Sequence, residues 1–132
     1  MIHCREYADN DVEFVFHNIT ELPKNDHFFL GYSCKEEWFG MASLKDGKEV
    51  GFQTKKYPAS ELMDGMVLYL EIDAARVKVF VNGDDLMDYA HQVDIAKYPI
   101  TNLNILAADG RFSLSLLAML DKPHGFERKC VA

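Results

Sequence analysis

The sequence predicts an all-β domain, a two-sheet antiparallel β-sandwich of jelly-roll type, and three observations carry that expectation. Short runs of alternating apolar and polar residues succeed one another along the chain, and no convincing 3.6-residue helical period interrupts them. Asn82-Gly83 sits between Val77-Lys-Val-Phe-Val81 and the run Leu86 to His91, and Asn-Gly between alternating runs is among the strongest short-range hairpin signals. About nine such runs recur at roughly 8–12-residue spacing, as in sandwiches and barrels.

In chain order, Val12, Phe14 and Phe16 alternate with more polar positions and read as a first strand, which Leu22-Pro23-Lys24-Asn25-Asp26 ends. Phe28 to Cys34 and Trp38 to Leu44 are the next two. Lys45-Asp46-Gly47-Lys48 is a tight turn, because Asp-Gly tolerates the positive φ of a two-residue hairpin loop, and Glu49 to Thr54 returns from it. A loop with Pro58 and Ser60 leads to Val67–Ile72, and the Asn82-Gly83 hairpin follows. Leu103 to Leu106 alternates, Asp109-Gly110 turns, and Phe112 to Leu116 alternates again, with serines on one face and large apolar groups on the other. A short helical turn is expected around Asp94 to Lys97. The sandwich is expected over 1–120, with 121–132 as a C-terminal tail that breaks the alternation.

The chain has 132 residues, one domain's worth, and at that length a core forms without help from metal or disulfides. Net charge is −7, and its basic residues are scattered among more numerous acids, which argues against nucleic acid and against an anionic membrane surface. No run approaches the roughly 20 apolar residues of a membrane span. The opening Met1-Ile-His-Cys-Arg-Glu6 has no apolar leader core, so a cytoplasmic address is expected. Cys4, Cys34 and Cys130 are an odd count without CxxC spacing and are expected as free thiols. The sequon Asn18-Ile19-Thr20 is then idle.

Catalysis has no visible carrier. The five histidines, His3, His17, His27, His91 and His124, lack HxH or HExxH spacing, so no metal site and no cofactor is expected. Asp84, Asp85 and Asp88 cluster at a hairpin, where adjacent carboxylates serve solubility and do not converge across a cleft as glycosidase pairs must. There is no Gly-rich phosphate loop and no GxSxG. The protein is expected not to be an enzyme.

The C-terminal half resembles a galectin. The matching text is Glu61-Leu-Met-Asp-Gly65, Val77-Lys-Val-Phe-Val-Asn-Gly83, Tyr89-Ala-His91, Ile100-Thr-Asn-Leu103 and Ala107-Ala-Asp-Gly110, and Leu103 to Leu120 is similar to the end of small dimeric galectins. The resemblance implies a galectin-like sandwich complete within this chain, with the N-terminal half fitting by strand order and length. It also implies a possible homodimer paired through sheet edges, and export without a leader as a second route. It further implies a galactoside site built of a His-x-Asn-x-Arg strand, an Asn on the next, and a Trp-x-x-Glu-x-Arg loop.

Laid on that plan, Trp38 to Leu44 and Glu49 to Thr54 take the place of the sugar-site strands, and they lack these groups. Trp38-Phe-Gly-Met-Ala-Ser-Leu44 offers no imidazole, amide or guanidinium, and Lys55-Lys-Tyr-Pro-Ala-Ser60 stands for a shortened loop. A second register sets Trp38 on the stacking tryptophan, with Val15, His17 and Ile19 at the polar positions, and the site fails again. Charge-assisted bonds typically contribute about 1.5–3 kcal/mol each, so losing several removes galactoside affinity. The expectation is a non-catalytic binding module for a protein partner or a second copy. The competing reading is a lectin with a rebuilt site for another glycan. The residues expected to bind are Trp38, Met41, Ser43, Gln53, Lys55 and Tyr57, with Trp38, Phe39 and Met41 forming either core or an exposed apolar patch.

Overall fold

The computed structural model describes residues 12–62 and 65–107, and these form two antiparallel sheets packed face to face. The strands are β1 (Val12–His17), β2 (Asp26–Ser33), β3 (Trp38–Lys45), β4 (Lys48–Lys56), β5 (Leu68–Ile72), β6 (Arg76–Val81), β7 (Asp84–Ala90) and β8 (Asn102–Ala107). The larger sheet runs β4-β3-β2-β1-β8, and the smaller runs β5-β6-β7. A 3₁₀ turn at Ala59–Leu62 occupies the segment before β5, where the sequence predicts a loop. The expected strand over Phe112 to Leu116 and the tail 121–132 lie outside the described residues.

Alternation decides what each strand buries. Val12, Phe14 and Phe16 oppose Tyr32, Leu30 and Phe28, which in turn reach Phe39 and Met41 across β3. That whole row points at Val77, Val79 and Val81 of β6 and Met87 and Tyr89 of β7. Phe16 stacks on Phe28 at 4.4 Å, and Phe39 sits between Tyr32 and Tyr57. The core is thus aromatic at its centre, with β-branched residues from the smaller sheet closing over it.

Both expected tight turns form. Asp46 and Gly47 take φ of 53° and 79°, and Asn82 and Gly83 take 49° and 86°, the left-handed pair that a two-residue hairpin needs. Asn82 also ties the neighbouring loop: its Oδ1 accepts the Val67 N–H at 2.8 Å, and its Nδ2 faces the Glu61 and Gly65 carbonyls. Asn82→Ala loses these bonds and the tolerance for positive φ, and is expected to cost about 1–3 kcal/mol in denaturant titration. A cost under about 0.5 kcal/mol would show the turn to be indifferent to that side chain. Around Asp94 the expected helical turn is a single one, closed by Tyr98 N–H to Asp94 C=O and capped by the Asp94 carboxylate.

Two expectations change character here. Cys34 is in a disulfide whose other half lies outside the described residues, so it is not a free thiol. An odd count rules out complete pairing within the chain but does not exclude a bridge between distant cysteines. Asn18 is 1% exposed, donates to the Pro99 carbonyl and accepts from the Glu21 N–H. Its amide nitrogen is therefore spent inside the fold, which supplies a structural reason for an idle sequon.

Candidate functional site

The six residues expected to bind do not share a face. Trp38 opposes Ser33 and Lys56, while Met41 opposes Leu30 and Gln53, three positions along the same strand and hence on the other side. Phe39 and Lys55 are paired on Met41's side. Met41, Ser43 and Tyr57 are buried at 0%, 0% and 5%. They are core, which corrects the expectation that a ligand touches them. Gln53 and Lys55 stay at the rim of the inner side, half-buried and exposed. Only Trp38 of the six looks outward from the larger sheet.

The inward polar groups hold the two sheets together. Ser43 Oγ donates to the His27 carbonyl at 2.7 Å and receives the Tyr89 hydroxyl, from β7, at 2.6 Å. Tyr32 donates to the Tyr57 carbonyl at 2.6 Å, and Tyr57 donates to Asp84 Oδ2 at 3.2 Å. Burial first, then the Asp84 carboxylate, pushes the Tyr57 phenol up to about 12, so it stays a hydrogen-bond donor at any physiological pH. The acidic hairpin has structural duties too: Asp84 serves Tyr57, and Asp88 pairs with Arg76 across β6 and β7. Among the described residues, no group of three or more His, Cys, Asp or Glu is arranged to hold a metal. Nor is any helix there long and apolar enough to cross a membrane.

The outer face of the larger sheet is aromatic over a shallow floor. Cross-strand rows place Val15, Phe29 and Ala42 side by side, then Glu13, Gly31, Gly40 and Thr54, then Ser33, Trp38 and Lys56. Phe52 joins them through a bulge. Between the pairs Met41/Gln53 and Ser43/Val50, β3 supplies one residue and β4 two, Gly51 and Phe52. Gly51 has φ of +72°, and a Cβ there would point inward, 2.7 Å from the Tyr89 hydroxyl. Phe52 is thrown outward, its Cε1 3.5 Å from where a Gly40 Cβ would stand, with 60% of its surface exposed. The Lys56 ammonium lies 5.2 Å from the Trp38 ring centre and donates to the Glu36 carbonyl. This arrangement can offer flat apolar contact, with Thr54 at its side and Asn104 opposite Val15 as neutral polar neighbours.

Sequence reasoning missed Phe29 and Phe52 as members of this face. A usable signal existed for Phe52, since Gly51 interrupts the alternation of Glu49 to Thr54 and a glycine inside a strand often marks a bulge.

Among solved structures, galectins share this fold. The chain is similar to Caenorhabditis elegans galectin LEC-6, at TM-score 0.59 and 13% identity over 77% of this chain and 68% of that one. It is similar to sheep galectin-11 in complex with glycerol, at TM-score 0.55 and 17% identity over 80% and 84% of the two chains. A human galectin-16 variant gives TM-score 0.62 and 13% identity over 82% and 83%. No family model matches the sequence. No curated protein matches it either. At these identities the likeness is one of fold, and the fold is galectin-like.

Proposed function

We propose that this galectin-like fold is a non-catalytic binding module whose outer sheet face, centred on Trp38 and Phe52, contacts a protein partner, a second copy being one form of it. The exposed Phe52 ring lying on Gly40 beside a half-exposed Trp38 is the observation that supports this reading. An aromatic pair over a glycine floor gives area without the directional donors that hold sugar hydroxyls. The one described arginine, Arg76, is on the other sheet. His17, on β1, is buried.

The second reading, a lectin with a rebuilt site, has to be carried by Thr54, Asn104 and the two rings. Gln53, Lys55 and Tyr57 face the opposite side. The cytosol is proposed as the address, with export from the cell as the alternative. The Cys34 disulfide favours the latter, because such bonds persist in oxidising surroundings.

Phe52→Ser with Trp38→Ala is expected to weaken capture of the partner by about thirtyfold or more, the loss of about 2 kcal/mol typical of central aromatic anchors. Unfolding stability should change little, since Phe52 is largely exposed. Lactose and N-acetyllactosamine, titrated while the Trp38 indole and Phe52 amide resonances are followed, should give no saturable shift. Saturable shifts at millimolar or tighter concentration would overturn the protein-binding reading and establish the lectin.

A further inference from the structure

Four buried side-chain polar atoms lack a protein partner among the described residues, and all four are histidine ring nitrogens: His17 Nε2, His27 Nδ1 and Nε2, and His91 Nδ1. Buried polar atoms are nearly always paired, so such a concentration calls for a physical account. His27 is 2% exposed and falls at an irregularity in β2, where Asp26 opposes His17 and Phe28 opposes Phe16, leaving His27 as the extra residue. The ring lies near residues 91–101, which connect β7 to β8, close to the Tyr98 and Val93 backbone. Those backbone groups favour a charged ring as hydrogen-bond acceptors, yet neither meets a ring nitrogen at full hydrogen-bond distance and angle.

The segment over the ring is held at its two ends. At one, the His91 N–H donates to the Ala75 carbonyl, and His91 Nε2 lies 2.8 Å from the Asp73 carbonyl. At the other, Asn18 donates to the Pro99 carbonyl, and the Thr101 N–H to the His17 carbonyl. Between them Val93 is buried at 6%.

We propose that residues 91–101 form an acid-sensitive latch, in which protonation of His27 drives its ring from the interior and releases the segment that covers it. The groups facing His27 set the response. His17, from β1, lies 3.6 Å from Asp26, so that carboxylate is partly engaged elsewhere. Asp26 draws a proton onto His27, and His91, from the covering segment, opposes one. Tyr89, from β7, reaches only the His27 carbonyl, through Ser43. Burial is the largest influence and holds the His27 imidazole below its ordinary 6.5.

The opened segment therefore binds a proton that the closed one excludes. Closure is fully favoured above pH 6.5 and is progressively lost as pH falls below it. Burial raises Asp26 from 3.8, so its contribution has the opposite sign, present when it is protonated and lost as pH rises.

Hydrogen exchange of the His91 and Thr101 amides, corrected for intrinsic rates, reads the latch. Between about pH 7.5 and about pH 5.5 their protection should fall severalfold, up to the roughly tenfold that one excluded proton allows, while amides of the central strand β6 hold theirs. His27→Phe should abolish the response, and His17→Gln should leave it in place. If the phenylalanine variant does not fold, titration of the wild-type His27 ring by NMR replaces it, with a midpoint below 6.5 that coincides with the loss of protection. Unchanged protection in wild type, an equal loss in the phenylalanine variant, or a ring midpoint at or above 6.5 would each overturn the proposal.

Discussion

Phe39→Ala is expected to remove about 3–5 kcal/mol of unfolding free energy, a fifth or more of the roughly 5–15 kcal/mol that a domain holds. Phe39 is 1% exposed and lies 4.7 Å from the Tyr32 ring and 5.6 Å, edge-on, from Tyr57. Truncation leaves a cavity that neither tyrosine can enter, because Tyr32 is tied to the Tyr57 carbonyl and Tyr57 to Asp84. Removing the ring thus forfeits its transfer energy and its packing against two fixed partners. Urea titration checks it, with the adjacent outward residue as control: Trp38→Ala should cost far less. A loss for Phe39→Ala below about 1 kcal/mol would mean that β3 buries its other face.

Gly51→Val should be nearly as damaging, through the backbone and through sterics together. A non-glycine residue at φ of +72° costs about 1–3 kcal/mol by itself, and a branched one lies at the upper end. Its Cβ would also stand 2.7 Å from the Tyr89 hydroxyl and 3.0 Å from Gln92. Gln92 can swing away. The tyrosine is anchored at 2.6 Å to Ser43 and cannot do so without breaking the link between the sheets. A melting temperature lower by about 10 °C or more is expected. Gly47→Ala isolates the backbone part, since φ there is +79° but nothing lies within 4 Å of the new atom. Equal losses for the two variants would show that the contact with Tyr89 is not limiting.

The strands were legible because their cause is local. Alternation marked Val12 to Phe16 and Val77 to Val81, and Asp46-Gly47 and Asn82-Gly83 announced turns whose φ values then appeared. The candidate site was legible only in part. That Trp38 and Met41 face opposite ways follows from strand parity and could have been read from the sequence. Which parity faces the core depends on the partner sheet. Sequence alone leaves Met41 open between core and an exposed patch, and Ser43 among the binding residues, because their inward neighbours, Tyr89 among them, arrive from a distant strand. Bulges were the least legible. Three described strands lose strict alternation, at His27, Gly51 and Leu86, and the first two each place a side chain that the proposals above depend on. The Cys34 bridge was hidden for a related reason, since spacing along the chain says little about proximity in space.

The irregularity in β4 also bears on how the exposed surface can change over generations. Val50, opposite the inward Ser43, and Tyr57 are an odd number of residues apart, so an uninterrupted strand would turn them to opposite sides. The extra residue reconciles the two phases. Losing or gaining one codon between them would therefore rotate a whole stretch at once, exchanging Phe52, Thr54 and Lys56 for Gln53 and Lys55. Recognition on this side of the molecule is thus more open to length variation than to point substitution, because a single indel rewrites its chemistry from aromatic to amide and ammonium.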